Sequence, residues 1–395
     1  MVITNGFTYI AFLMFLAGLL LAAEKYTKWK VFNVIPPLVW IYVLNMIFCT
    51  AGLFDSEGCS AAYSALKNNI LYAMIFVMLL RCDIRKLAKL GGRMVAIFLG
   101  GAVSIFVGFI IAFVIFKGPL GGGETIWGAM AALCASWIGG SANMAAMQAA
   151  FPVDSGAYGC ALAVDTVYYS VWIALLLIMV RYAGKWDKAV KADTSKLQAV
   201  ADAANAEVAK EKKHATASDW IFLIGLSLIV SALSQQVGSA LNAGLSSIGL
   251  SMFDTGTMTT VFVTLLGLVC ALSPLGKLPA VEELSNVYLY AIVSLLASTA
   301  SLTDLISAPL WIVAGLVIMI FHIAIMFLLS KAFHWDCCMV STASLANIGG
   351  SASAPIVASA YNPSYAGIGV LMGVLGAALG NFFGLAAGYL MQMLI

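Results

Sequence analysis

Residues 135–151, ASWIGGSANMAAMQAAF, align with residues 345–361, LANIGGSASAPIVASAY, at an offset of 210. Six of the seventeen positions are identical, five of them consecutive as Ile-Gly-Gly-Ser-Ala. Upstream, NNILYA (68–73) answers NVYLYA (286–291) at a similar offset. Self-similarity at corresponding places in two halves marks a duplicated unit. Gly139-Gly140 and Gly349-Gly350 interrupt apolar runs in which each glycine costs a helix about 1 kcal/mol against alanine, and Pro355 removes a further backbone donor. Non-helical backbone inside a bilayer survives only where protein covers it or where it lines a wet cavity. Glycine-interrupted segments at matching places in two halves are the pattern of secondary transporters. The two stretches therefore predict two discontinuous helices that meet near the midplane. Close packing through small residues accounts for the glycines and alanines, but not for Asn143, Gln148, Asn347 and Ser353 beside them.

Composition sets the class around these breaks. The chain has 395 residues, of which 62% are apolar and 10% charged, and its mean hydropathy is +1.00. A soluble domain is roughly 45–50% apolar and about 25% charged, so this is an integral membrane protein. A formal charge of +2 excludes a nucleic-acid binder. The eight cysteines form no Cys-x-x-Cys pair, and His214, His322 and His334 lack metal-ligand spacing. No cofactor or transition metal is expected, and His322 reads as a lone helix histidine.

Apolar stretches of spanning length lie near 6–23, 32–53, 66–82, 94–116, 125–150, 156–182, 219–237, 257–276, 284–302, 307–333, 337–361 and 364–394. The reading is an all-α, multi-pass protein with about twelve spans, eleven to thirteen at the limits. Residues 1–183 form a first membrane repeat, the polar run 184–218 a solvated linker and 219–395 a second repeat. Lys25, Lys28 and Lys30 follow the first span, and Arg81, Arg85, Lys86, Lys89 and Arg93 follow the third. The positive-inside rule places both loops in the cytoplasm and the N-terminus outside. The near balance of Lys with Asp and Glu in 184–218 leaves the side of the linker open.

One acid lies deep in a span. Asp165 sits in CALAVDTVYYSVWIALLLI, roughly 14 Å from the span's start at ~1.5 Å per residue. A carboxylate there costs about 2.5–3.5 kcal/mol on insertion scales and marks a functional site by default. No Lys or Arg is read at comparable depth, so Asp165 is protonated, solvated by a cavity or paired with a mobile cation. Na⁺ and H⁺ both suit it as coupling ion. Thr166, Ser141, Asn143, Ser351 and Ser353 could complete an oxygen shell. The half-helix N-termini after Gly140 and Gly350 would favour an anionic group. Gly139, Gly140, Asn143, Gln148, Asn347, Gly349 and Gly350 are thus the candidate contacts for a small organic anion or zwitterion.

At these residues the chain resembles the YjcL-like family, domain-of-unknown-function family 819. Through it the chain is similar to the wider group of bile acid:sodium symporters and cation/proton antiporters. The specific part is the two IGGSA segments and the acid on the helix after the first. The resemblance implies inverted repeats, two crossed broken helices in a mobile core, a flanking panel domain and a possible homodimer. It matches Asp165 to the antiporters' ion-binding acid. Here Val164 precedes that acid and the second half carries none, which favours solute symport over sodium/proton antiport.

Inversion and the count of twelve conflict. Breaks in the fifth and eleventh spans lie at an even offset, which makes repeats parallel. Either 219–256 hides a short crossing, or a third or ninth segment is misread. The basic loop after the third span faces a counterpart near 301–309 that holds only Asp304, as inversion predicts. The expectation is a cation-coupled secondary transporter in the cell membrane whose partners are lipid and a small solute. A channel or an intramembrane enzyme are the rivals; the sequence offers no ring of like groups, no Ser-His pair of identifiable spacing and no second membrane aspartate in a GxGD setting.

Overall fold

The computed structural model describes residues 2–27, 29–83, 85, 90–194, 197–208, 215–248, 254–300 and 308–395. Asp304, Lys28, Lys86, Lys89 and His214 lie outside the described residues. Among those described the chain is helical, with one isolated bridge between Ile3 and Phe54. The helices are α1 Gly6–Thr27, α2 Pro37–Thr50, α3 Ser56–Leu80, α4 Gly91–Phe116, α5 Gly123–Gly139, α6 Ser141–Ala150, α7 Ser155–Met179, α8 Ala183–Val190, α9 Leu197–Val208, α10 Ala217–Ser247, α11 Thr255–Ala271, α12 Val281–Ala297, α13 Ala308–Phe333, α14 Cys337–Ile348, α15 Gly350–Tyr361 and α16 Ala366–Met393. Seven helices are long and apolar enough to cross a membrane, among the described residues. α10 is unbroken over residues 217–247, and residues 249–253 of the 219–256 stretch lie outside the described residues.

Two bundles result. α1, α2 and α3 pack with α10, α11 and α12; α4 to α7 pack with α13 to α16. Each bundle thus takes three consecutive elements from either half, counting each broken helix as one. α4 and α13 lie against each other, with Gly108 so close to Ile318 that a Cβ there would stand 2.9 Å from the Ile318 carbonyl oxygen.

The breaks are hairpin tips. Trp127 near the start of α5 and Phe151 just after α6 have ring centroids 4.9 Å apart. A straight path over those residues would separate them by about 36 Å at 1.5 Å per residue. In the second half, the Tyr361 hydroxyl lies 3.3 Å from Cys337 Sγ and 3.1 Å from Ser341 Oγ. Both broken helices therefore turn back and leave on the side they entered. The crossed pair of discontinuous helices is corrected by these contacts: α6 and α15, of 10 and 12 residues, are too short to reach the far side of a bilayer of ~30 Å. The left-handed backbone of the turns is supplied by Gly140 (φ 97°) and Gly350 (φ 68°), a region that side chains disfavour.

Helix ends sort onto two faces. Arg81 pairs with Glu282 at 3.3 Å, and Arg93 reaches Asp193 at 3.3 Å and donates to the His334 carbonyl at 2.7 Å. This basic face also holds the start of α14, where Cys337 N donates to Asp187 at 2.8 Å. On the opposite face Ile3 N donates to Leu53 O at 2.7 Å, Tyr9 bonds Ser298, Ser155 Oγ lies 3.1 Å from Thr299 Oγ1 and Lys117 donates to Leu394 O.

Two helices of the polar run after α7, α8 and α9, dock against the rest of the protein. Asp187 and Val190 of α8 bind the start of α14 and His334. Asn205 of α9 donates to Ser364 O at 2.6 Å and accepts from Gly367 N at 3.0 Å. Ala201 and Ala204 are fully buried, on a helix that lies against α16.

Candidate functional site

α16 brings both hairpin tips together. A Cβ on Gly373 would stand 2.3 Å from Ser351 N, on Gly376 2.5 Å from Ile138 O and 3.4 Å from Ala346 O, and on Gly380 2.8 Å from Gly139 Cα. Glycine at these places lets the helix touch the backbone of both turns, as in small-residue membrane packing. The tips consequently lie side by side at mid-height on α16.

α7 runs past both tips and carries Asp165. The hydroxyl of Ser136 and the indole N–H of Trp137 neighbour its carboxyl, yet neither closes a hydrogen bond, and Asp165 Oδ1 is covered without a partner. Three polar side chains beside the first tip thus stand with unfilled bonding capacity. Such groups in an enclosed site cost free energy unless a ligand, water or ion satisfies them. One turn on, Tyr169 accepts a 2.9 Å hydrogen bond from Ser353 Oγ and packs on Gly349, where a Cβ would meet its ring at 2.9 Å. A single helix thus contacts hairpin 1 through Asp165 and hairpin 2 through Tyr169.

The other sequence candidates divide. Ser141 and Ser351 begin the second legs of the hairpins beside Gly140 and Gly350, partly exposed. Ser353 reaches α7 as described. Asn143 is buried, donating to Asn381 Oδ1 at 2.9 Å and Ala377 O at 3.1 Å, and its own Oδ1 is unpartnered. Asn347 donates to Ala343 O at 2.8 Å and Phe98 O at 3.3 Å, with its Oδ1 also unpartnered. Thr166 donates to Leu162 O at 3.0 Å within its own helix, which is the ordinary structural use of a helix threonine. Gln148 is buried two turns from the tip on α6.

Ser136, Trp137, Tyr169, Asn381 and the α16 glycines were absent from the sequence reading. Ser136 and Trp137 stand inside the quoted repeat, Tyr169 is four residues from Asp165, and Gly369, Gly373, Gly376, Gly380, Gly384 and Gly388 recur at helical spacing. His322 is not a lone histidine: Nδ1 lies 2.7 Å from Ser104 Oγ and Nε2 2.7 Å from Ser344 Oγ, which accepts from Trp172 Nε1 at 2.8 Å. Ser104 donates to Gly101 O, so a neutral ring protonated on Nδ1 satisfies every member of this network.

Residues 11–394 match the family described as "Protein of unknown function (DUF819)". The chain belongs to the DUF819 family. A curated relative, "Uncharacterized membrane protein YjcL" of Bacillus subtilis (strain 168), is 26% identical over 356 residues, covering 87% of this chain and 86% of the relative. The DUF819 match spans both hairpins, Asp165 and α16.

Proposed function

We propose that this membrane protein is a cation-coupled secondary transporter of a small organic anion or zwitterion, working by alternating access across the cell membrane. The observation that carries the reading is the meeting of two helical hairpins, one based on each face, at a half-buried acid whose Oδ1 is covered and unpartnered, on a helix that contacts both. Ten crossings then account for the fold: α1 to α4 with α7, and α10 to α13 with α16. Five crossings per half form an odd offset, so the second repeat is inverted. This removes the conflict between inversion and a count of twelve, because the two broken segments contribute no crossing. The basic face is cytoplasmic by the positive-inside rule, and α8 and α9 lie on it.

Asp165 serves as the coupling-ion group for Na⁺ or H⁺, with Ser136, Trp137 and the free N–H groups at the tips beside it. Ser141, Asn143, Ser351 and Asn347 flank the solute position. A solute and a cation that both favour the occluded arrangement of the hairpins stabilise each other there. No catalytic step is required of any of these residues.

The test is thermal stability of the purified protein in NaCl, KCl and choline chloride at pH 6 and pH 8, beside Asp165→Asn. A ligand binding only the folded state adds RT ln(1 + [L]/Kd), about 2.7 kcal/mol at 100 Kd. Stabilisation specific to Na⁺ and lost in the variant identifies sodium; a pH dependence lost in the variant identifies the proton. An Asp165→Asn protein that follows wild type under every condition sinks the assignment.

A further inference from the structure

A second site lies where the two bundles meet on the face opposite the basic one. A cavity of about 480 Å³ opens there between α3 and the base of hairpin 1, lined by Lys67, Glu124, Thr125 and Asp154 with Phe151 and Pro152. That volume falls within the roughly 300–1,000 Å³ usual for small-molecule sites. Lys67 stands eleven residues into α3, counted from Ser56, roughly 16 Å along the helix at 1.5 Å per residue. By hydropathy the third span begins near residue 66, beside Lys67; the longer α3 puts that residue mid-helix. Its ammonium meets only the ring of Tyr63, 5.8 Å to the centroid, among the described residues, and it joins none of the ion pairs. A basic side chain on a spanning helix that lines a cavity and closes no ion pair with the carboxylates across it leaves its charge open to a ligand.

The opposite wall carries the other sign. Glu124 lies in the first turn of α5, and Asp154 caps α7 by accepting from Ala157 N at 2.8 Å. The dipoles of those helices account for the two carboxylates but give no reason for Lys67. A bare anion entering the cavity meets two carboxylates, and a bare cation meets Lys67. A molecule with both charges on a short skeleton satisfies each wall.

We propose that this cavity is an outer recognition site for a zwitterionic solute, its carboxylate on Lys67 and its ammonium group on Glu124 and Asp154. The assignment rests on the transporter reading for its purpose and narrows the substrate class to zwitterions. It also explains the location, since a ligand held between α3 and hairpin 1 touches both bodies that move against each other.

The experiment is a thermal-shift titration of the full-length protein with single α-amino acids, each beside its deaminated carboxylic acid and its decarboxylated amine. At least one amino acid should raise the Tm at millimolar concentration while its two singly charged counterparts do not. Lys67→Gln should weaken that response ten-fold or more, and Lys67→Arg should retain it. Glu124→Gln should weaken it as well, with the unliganded Tm and the elution volume reporting that each variant folds. A carboxylic acid that acts as well as its amino acid, an unchanged response in Lys67→Gln, or no response to any amino acid overturns the proposal. Uptake into proteoliposomes separates the two readings: amino-acid binding without uptake under any Na⁺ or pH gradient removes the transporter and leaves the site.

Discussion

Ser353 Oγ donates to Tyr169 OH at 2.9 Å, which ties the tip of hairpin 2 to the helix that carries Asp165 one turn earlier. A change at the acid that turns or shifts α7 is therefore felt at a hairpin based on the other face. Tyr169→Phe keeps the ring against Gly349 and removes only the acceptor. Ser353 can turn its one proton to Gly349 O, 3.0 Å away, so no buried donor is orphaned and the stability loss is about 1 kcal/mol or less. Amide exchange at residues 349–353 should rise relative to wild type. Unchanged exchange there means the bond does not hold the tip.

The α16 glycines make a sharper claim. Gly376→Ala sets a methyl 2.5 Å from a backbone oxygen, that of Ile138, which no side-chain rotation relieves. Overpacking of this kind costs typically 1–3 kcal/mol, and here it also parts the hairpin tips. Gly225→Ala, on α10 with open space around the new methyl, should gain up to about 1 kcal/mol from helix propensity. Melting both variants beside wild type checks the pair; equal Tm values contradict the close approach.

The repeat in the sequence was enough to locate both turns, because Gly140 and Gly350 sit where left-handed backbone is needed. It could not show what happens after them. Residues 123–150 hold as many apolar residues as one span requires, and hydropathy does not distinguish one pass from a hairpin. The fold-back is decided by tertiary contacts, Phe151 on Trp127 and Tyr361 on Cys337 and Ser341. The docked linker was hidden for a related reason. Its polar composition is that of a solvated helix, and the few residues Leu197, Ala201 and Ala204 mark the buried face of α9. Asp165 was legible from depth alone, whereas its neighbours Ser136 and Trp137 depend on how α5 approaches α7.

Asp336 gives a pH prediction outside the spans. Burial pushes its carboxyl up from 3.8 to about 6, against the lowering effect of the Met339 N–H it caps. The folded state then holds a proton that the unfolded state releases between those values, so stability falls as pH rises through that window and stays lower above it. Asp336→Asn preserves an N-cap acceptor and abolishes the proton step. The variant should match wild type near pH 4 and exceed it at pH 8 by up to about 3 kcal/mol, given 1.36 kcal/mol per pKa unit. Denaturant midpoints at the two pH values measure this; a constant difference assigns the effect to something other than Asp336 ionisation.

A polar chain joins the bundles: Asn143 of hairpin 1 to Asn381 of α16, and Asn381 Nδ2 to Thr264 Oγ1 of α11 at 3.1 Å. Asn381→Ala strands Thr264 and one donor of Asn143, for a loss of about 1–3 kcal/mol. Members of one network do not add independently. The double variant with Asn143→Ala should therefore fall short of the summed single losses by at least about 0.5 kcal/mol. Strict additivity in a double-mutant cycle would show that the two asparagines do not act as a unit.

Topology is testable without any ligand. Hairpins demand that both bases of each turn face one side, so residues 121 and 154 share a side and residues 334 and 363 share the other. Crossing helices demand the reverse, because each broken segment then separates its two ends by the whole bilayer. Single cysteines at these positions, in a variant freed of the eight native ones, can be labelled in intact cells with a maleimide that does not enter. Gly121→Cys and Asp154→Cys should both react from outside, while His334→Cys and Pro363→Cys react only after lysis. The outward placement follows from Arg81, Arg85 and Arg93 on the opposite, basic face. Labelling of one member of either pair from each side restores the crossed helices and, with twelve crossings, makes the repeats parallel.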